Sequence, residues 1–467
     1  MIGVALVLSL VWTAPALAQD SGTGDTDGAQ PTSRAARAFP AQLGCVEWPT
    51  DAWPRSRLPA GVARSDINEV VNDFRRRGGR SVVIIHGGRL VYEWYRGDIT
   101  PETVNHSFSV SKSITATMAG ILHREGLISD VEAPVPVPEW QTPGDPRAAI
   151  TWHNLMSMRT GLEWNESYDF GTESDNVAAL ISGDAGGYAA AKPLVAEPGT
   201  SSNYSTGTTH LLARSMGQVL GATGEAMEAE VRQRLFDPLG IGTVEMGFDQ
   251  SGYWLGGALT DMTTRDFARY GLLHLRGGEW DGEQLLPHNW VHRRGADGHD
   301  THFWAGPTDR FGGFGIFGQS VKIAADLDLV VAANSDNGGF YNELIEELFV
   351  DAQRPSCGRD ATFGRPLDDP GRIYRPGRSI MVRFSVEGGP PAYGTGATVV
   401  SRRVHCRYGY SLKPDVPVPG RVRQRADGQY RIEWPTRPGW RGCRQLQVML
   451  PDGSAHIATV RFPPHRR

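Results

Sequence analysis

The spacing of apolar positions divides this chain into stretches of different character. From Ser65 onward Ile67, Val70, Val71 and Phe74 recur on one helical face, and Gly78-Gly79 ends the pattern, which predicts a capped amphipathic helix. Two apolar runs follow, Ser81 to His86 (SVVIIH) and Arg89 to Tyr95 (RLVYEWY). The Gly87-Gly88 pair between them is the two-residue signal for a tight antiparallel hairpin. Helical periodicity then dominates in Val110–Arg124, Trp152–Met158, Thr208–Leu220, Ala226–Leu239 and Thr263–Arg276, between glycine-rich loops. Strand patterns return at Ile316–Ala325 and Leu329–Ala333, and Tyr341–Gln353 reads as a closing amphipathic helix. Helix, hairpin, helical insertion, hairpin and helix together predict an α+β fold, an antiparallel sheet flanked by helices with an all-helical subdomain.

Beyond Arg354 the pattern changes to short alternating strands at Ser379–Val386, Thr398–Arg407, Gln429–Trp434, Gln445–Leu450 and Ala455–Phe462, as in a small all-β sandwich or barrel. Charge changes at the same place. Residues 361–467 hold 19 Lys and Arg against 7 Asp and Glu, a net of +12, so a whole-chain charge of −5 leaves −17 on the rest. We therefore expect one domain over residues 41–360 and a basic β-sandwich-like domain over 361–467. The basic surface would attract a polyanionic envelope component or dock on the acidic domain. Its arginines are not interleaved with aromatics as a nucleic-acid groove requires, so no nucleic-acid partner is expected. With 467 residues, 40% of them hydrophobic, the chain can bury a large core, and the absence of a G-x-y period among its 57 glycines excludes a collagen-like protein.

Residues 1–18 form an apolar run closed by Ala16-Leu17-Ala18, the small-residue pattern of a signal-peptidase site, although no Lys or Arg precedes the run. This predicts a signal peptide, a periplasmic or secreted product and, from the Ser, Thr, Gly and Asp content of residues 19–40, a disordered leader. An uncleaved membrane anchor is the alternative, but the run is shorter than a bilayer span requires and no other segment reaches that length. The four cysteines, Cys45, Cys357, Cys406 and Cys443, fit an exported protein and allow three pairings. Cys45 with Cys357 and Cys406 with Cys443 is the pairing expected, with free thiols as the alternative. None lies in a zinc-like array, and His299 and His302 lack a third ligand, so neither a metal nor a cofactor is expected.

Nucleophilic hydrolysis without a metal needs an activated hydroxyl or thiol beside a base. Ser109-Val110-Ser111-Lys112 is an S-x-x-K motif at the predicted start of a helix, where a three-residue step brings the ammonium beside the hydroxyl and the helix N-terminus favours an oxyanion. A helix-capping serine followed by a solvated lysine is the bland alternative. Yet 43 of the 47 cations are Arg, and this position keeps one of only four Lys, where a titratable amine is wanted. A second element is the polar loop from Glu197 to Thr206, in which Tyr204 can present its phenol to a cleft as a proton shuttle for Ser109.

The order S-x-x-K, Tyr204-Ser205, then a Gly-rich strand resembles the penicillin-recognising serine hydrolases: class C β-lactamases, related esterases and D-amino peptidases. Over roughly residues 65–353 it is most similar to the branch of 6-aminohexanoate-dimer (nylon oligomer) hydrolases. The resemblance is carried by EPGTSSNYSTGTTHLLARSMGQVLG, FDPLGI, GGALTDMTTRDFARYGLLHLRGGEWDGEQLLP and IFGQSVKIAADLDLVVA. It implies a β-lactamase/transpeptidase-like fold, a Ser109 nucleophile, Lys112 and Tyr204 as the proton-transfer pair, and an acyl-enzyme that water hydrolyses. It also implies an oxyanion hole from the backbone N–H groups of Ser109 and Gln319, with Gly318 letting substrate approach the strand. Tyr168 and Asp175, in the loop that follows Trp164, would contact the amine end of the substrate. Two departures stand out: Thr206 replaces the Asn of the family's Tyr-x-Asn, and Ile316-Phe317-Gly318 replaces Lys/His-Thr/Ser-Gly, removing the cation that would grip a carboxylate. The reading is therefore an exported serine hydrolase acting on a small ester or amide. A β-lactamase or D-amino acid-directed peptidase is the alternative within the class, and a non-catalytic envelope-binding or sensor module the alternative outside it.

Overall fold

The computed structural model describes residues 39–463, apart from 169–172, 288–289, 291–298, 301, 306–309, 340–341, 354–360, 364–372, 387–392, 405–415, 420, 426–428 and 451–454. The expected signal peptide, most of the leader, and Cys357 and Cys406, one from each expected cysteine pair, lie outside the described residues.

Along the chain run α1 (Arg64–Arg76), β1 (Gly79–His86), β2 (Arg89–Tyr95), β3 (Val104–Asn105) and α2 (Val110–Arg124). Then come α3 (Trp152–Met156), α4 (Asp175–Ile181), α5 (Ala185–Ala190), α6 (Thr206–Leu220), α7 (Gly224–Val231), β4 (Glu245–Met246), β5 (Thr260–Thr263) and α8 (Thr264–Leu275). They are followed by β6 (Glu279–Trp280), β7 (Glu283–Gln284), β8 (His299–Asp300), β9 (Phe303–Ala305), β10 (Arg310–Gly315), β11 (Gln319–Ala324), β12 (Leu329–Ser335) and α9 (Asn342–Phe349). One antiparallel sheet has the order β2-β1-β12-β11-β10-β9-β8, so the N-terminal hairpin is joined to the later strands through the β1–β12 pair.

The SVVIIH run is apolar without alternation because both faces of β1 are covered. Val82 and Ile84 pack with α1 and α9 through Ile67, Phe74 and Ile345, whereas Val83 and Ile85 join the core of α2 and α8 through Ile114, Leu122 and Leu272. β12 divides in the same way, with Leu329 and Val331 on one side and Val330 and Ala332 on the other. The helices α2, α3, α5 and α6 gather their apolar stripes into that second core, which makes the helical subdomain.

The expected strand from Ile316 is a correction. Residues 316–318 form a turn with Phe317 at φ 64° and Gly318 at φ 96°, and β11 begins only at Gln319. Three apolar-glycine residues read as strand by propensity, but they connect β10 to β11 in a hairpin whose last pair is Gly315 with Gln319.

Past residue 360 the strands are β13 (Ala361–Phe363), β14 (Ile380–Val386), β15 (Thr398–Val404), β16 (Val416–Pro417), β17 (Arg423–Gln424), β18 (Tyr430–Trp434), β19 (Gly442–Met449) and β20 (Ala455–Phe462). They make two four-stranded sheets, β13-β14-β18-β17 and β16-β15-β19-β20. A separate core lies among them, with Val382, Phe384, Ile432 and Trp434 from one sheet and Leu446, Val448, Val460 and Phe462 from the other.

Helix α8 lies flush on the sheet because Gly271 carries no side chain: a Cβ there would come 2.6 Å from Val330 Cγ1 and 2.9 Å from Val321 Cγ1. Both valines are buried and stiff, so neither can swing aside. Gly271→Ala is expected to destabilise the protein by about 1–3 kcal/mol through overpacking, despite the better helix propensity of alanine. Urea unfolding measures this, and unchanged or increased stability would contradict the packing described.

Candidate active site

Helix α2 is buried along nearly its whole length, and Ser109 stands at its N-cap position. Lys112, one turn on, is 3% exposed. Its Nζ donates to Ser109 Oγ at 3.1 Å and to the Gly257 carbonyl at 2.8 Å, and it lies 5.1 Å from the centre of the Tyr204 ring. An enclosed ammonium needs all its directions occupied, and here a hydroxyl, a carbonyl and an aromatic face occupy them. The three sequence-predicted residues Ser109, Lys112 and Tyr204 therefore meet at one place.

Gly257 was not singled out from sequence, although it lies in the quoted GGALTD stretch. A Cβ on it would come 2.8 Å from Thr206 Cγ2 and 2.9 Å from the Thr206 carbonyl, and one on Gly256 would come 2.4 Å from Thr115 Oγ1. Only paired glycines let this backbone pass between α2 and α6 and turn a carbonyl onto the lysine. Behind it, the N–H of Gly257 points at His210 Nδ1 at 3.4 Å. Burial, with a smaller effect from Lys112, pushes His210 down to about 3, so it is neutral and adds no second charge beside the ammonium.

The segment before Ser109 is held from β5. Asp261 Oδ1 accepts the Ser107 N–H at 2.8 Å and the Ser107 hydroxyl at 3.1 Å, while Oδ2 takes His106 Nδ1 at 2.6 Å. Between them and the nucleophile, Phe108 has φ 44°, a left-handed conformation that costs a non-glycine residue free energy and persists only where its surroundings enforce it. The Phe108 ring packs edge-on against Phe317 at 5.4 Å, and Phe317 is 42% exposed.

The strand beside the nucleophile is β10. A Cβ on Gly315 would lie 3.2 Å from Ser109 N and 2.8 Å from the Ser107 carbonyl, so the end of this glycine-rich strand touches the turn that carries Ser109. Gln319, expected to lend its N–H to an oxyanion hole, sits one strand further in. Its side-chain oxygen accepts the Ser335 N–H at 3.1 Å, and Gly318 abuts the Gly338 carbonyl, where a Cβ would come within 2.2 Å. Gly315 thus meets the turn that carries Ser109, while the contacts of Gln319 and Gly318 run to Ser335 and Gly338.

The loop after Trp164 contains the tentative substrate contacts, and they divide. Tyr168 is half-exposed and donates to Glu166 Oε1 at 2.7 Å; loss of solvent, followed by the Glu166 carboxylate, pushes its phenol upward. Asp175 is buried and already spent. It accepts Asn165 N at 2.7 Å and Tyr188 OH at 2.7 Å and pairs with Lys192, so both its oxygens carry partners that close the loop on itself. Glu166, which sequence reading passed over, collects Trp164 Nε1 at 2.6 Å and the N–H and hydroxyl of Thr206 at 2.8 and 2.5 Å. Thr206 is thus tied to a carboxylate at the start of α6. His302 is structural: its carbonyl accepts Ser113 Oγ at 2.6 Å, and the side chain of His299 lies outside the described residues.

Residues 67–337, more than half of the chain, match the family model described as Beta-lactamase. The chain belongs to the beta-lactamase family. This is a family of serine hydrolases, and the S-x-x-K pair at the start of α2 stands inside the matched region. Among the family's curated members, the 6-aminohexanoate-dimer hydrolase of Paenarthrobacter ureafaciens is 25% identical over 333 residues, 64% of this chain and 81% of that protein. The structure of EstA from Arthrobacter nitroguajacolicus Rue61a superimposes with a TM-score of 0.51 at 17% identity, covering 63% of this chain and 98% of EstA, a likeness of fold. Both similarities stop short of the full chain, and the family model ends before β13.

The His106–Asp261 contact gives a pH test. The hydrogen bond to Asp261 raises His106 above its ordinary value, against a smaller opposing effect of burial. A group raised on folding adds stability that is fully present below its unfolded value of about 6.5 and is lost as pH rises through the folded value. His106→Gln is therefore expected to cost more stability near pH 6 than near pH 8.5 in thermal melts; a pH-independent difference would contradict this.

Proposed function

We propose that this beta-lactamase family member is an esterase or amidase working through a Ser109 acyl-enzyme. The observation that carries the reading is the buried Lys112 ammonium in contact with Ser109 Oγ at 3.1 Å and facing the Tyr204 ring. Ser109 Oγ attacks the carbonyl carbon of the substrate while Tyr204, reacting as a phenolate held by the Lys112 ammonium, takes its proton. The same pair returns that proton to the departing oxygen or nitrogen, and water then repeats the sequence on the acyl-enzyme to release the acid and regenerate the serine.

The oxyanion of each tetrahedral intermediate would rest between the N–H of Ser109 and that of Ile316, the residue after Gly315. Support comes from the approach of Gly315 to Ser109. The substrate we assign is a small ester or amide with an uncharged acyl part. The cleft edge offers Phe108, Phe317 and Tyr168 where relatives that grip a carboxylate would need a cation. We also propose export, supported by the apolar run ending at Ala16-Leu17-Ala18 and by the four cysteines.

Ser109→Ala is expected to lower kcat/KM for p-nitrophenyl butyrate by about 10⁴-fold or more while leaving the fold intact. Lys112→Arg, which keeps a charge but loses the compact amine, should lose activity on a similar scale. Wild-type turnover by Ser109→Ala would overturn the assignment, and nitrocefin turnover comparable with that of the ester would replace the substrate class with a β-lactam.

A further inference from the structure

The separate core among β13–β20, outside the matched family region, ends in a cluster of like charges. On β15 and β19 the buried residues Val399 and Ser401 face the same interior as Leu446 and Val448. One step further along each strand lie Arg403, exposed, and Arg444, half-buried, which the register places directly opposite each other. Like charges in a directly opposed cross-strand pair repel, with Cβ atoms about 5 Å apart, and are ordinarily selected against. Arg437, from the connection between β18 and β19, is a third cation within reach. Arg444 lies flat over Trp440, with its guanidinium carbon 3.6 Å from the ring centre, so its position is set by stacking.

All the charges acting on Arg444 are positive. Burial, then Arg403 and Arg437, hold its guanidinium below the usual range. Among the described residues none of the three arginines forms an ion pair, whereas in the hydrolase region Arg214, Arg265 and Arg310 each find a carboxylate. Three neighbouring guanidiniums suit the oxygens of phosphate groups, either one multiply charged group or singly charged groups side by side, better than a single carboxylate.

We propose that Arg403, Arg437 and Arg444, backed by Trp440, form an anion-binding site for phosphate groups, on a part of the chain separate from the hydrolytic centre. Phosphate could reach it free in solution or on a lipid headgroup. The probe for the first is sodium pyrophosphate, titrated into the full chain at constant ionic strength with the melting temperature and heat as readouts. The probe for the second is co-sedimentation with phosphatidylglycerol vesicles, with phosphatidylcholine vesicles as the neutral comparison.

Saturable binding to either probe is expected, weakened about tenfold or more by Arg403→Gln and by Arg444→Gln, since each removes charge-assisted hydrogen bonds. Arg421→Gln, an exposed change elsewhere in the same region, should leave affinity unchanged. Without ligand, Arg403→Gln should melt at or above the wild-type temperature, because it relieves repulsion, and all three variants should hydrolyse p-nitrophenyl butyrate at the wild-type rate. Binding to pyrophosphate alone assigns the free anion, and binding to phosphatidylglycerol that pyrophosphate displaces assigns the headgroup. Binding to neither, or binding that Arg403→Gln and Arg444→Gln leave intact, would overturn the site.

Discussion

An ammonium shut away from water is the constraint around which this molecule is arranged. An uncompensated charge in a protein interior costs several kcal/mol, so Lys112 is tolerable only while Ser109, the Gly257 carbonyl and the Tyr204 face surround it. Those three partners belong to α2, to the glycine pair ahead of β5 and to the loop entering α6. Helix, strand and loop must therefore assemble together. The neutral state of His210 belongs to the same economy, since a second cation at that depth would have no acceptor.

A second constraint acts on the backbone beside the nucleophile. Asp261 grips Ser107 from β5, Gly315 presses on the same turn from β10, and between these contacts Phe108 is forced into a left-handed conformation. Strain of that kind persists only in an over-determined setting. Its consequence is chemical. The ring of Phe108 is turned toward Phe317 at the cleft edge, so the position at which relatives are expected to hold a cation becomes an apolar rim. The preference proposed for uncharged acyl groups rests on the fold of these two turns more than on any one contact.

Carboxylates near the cleft are used for construction. Asp175 closes its own loop through Asn165, Tyr188 and Lys192, and Glu166 ties Trp164, Tyr168 and Thr206 to the start of α6. The acidic body of the hydrolase region is thus largely a set of internal ties. The basic residues past β13 contrast with this, because Arg403 and Arg444 face each other with no carboxylate between them among the described residues.

Much of this was legible in the chain. Apolar runs around a Gly-Gly turn located β1 and β2, and helical periodicity located α1, α2, α6 and α8, since burial on both faces of a strand or one face of a helix imposes those patterns. The S-x-x-K step placed an amine beside a hydroxyl, because three residues of helix are nearly one turn. What sequence could not show was which backbone meets that turn. Ile316-Phe317-Gly318 reads as strand by composition, yet the register of β10 with β11 makes it a hairpin, and Gly315 meets the Ser109 turn. Nor does spacing reveal that Asp175 is already satisfied, or that Gly257 and His210 stand behind Lys112. Those facts depend on contacts between residues far apart in the chain, and such contacts exist only once the elements pack.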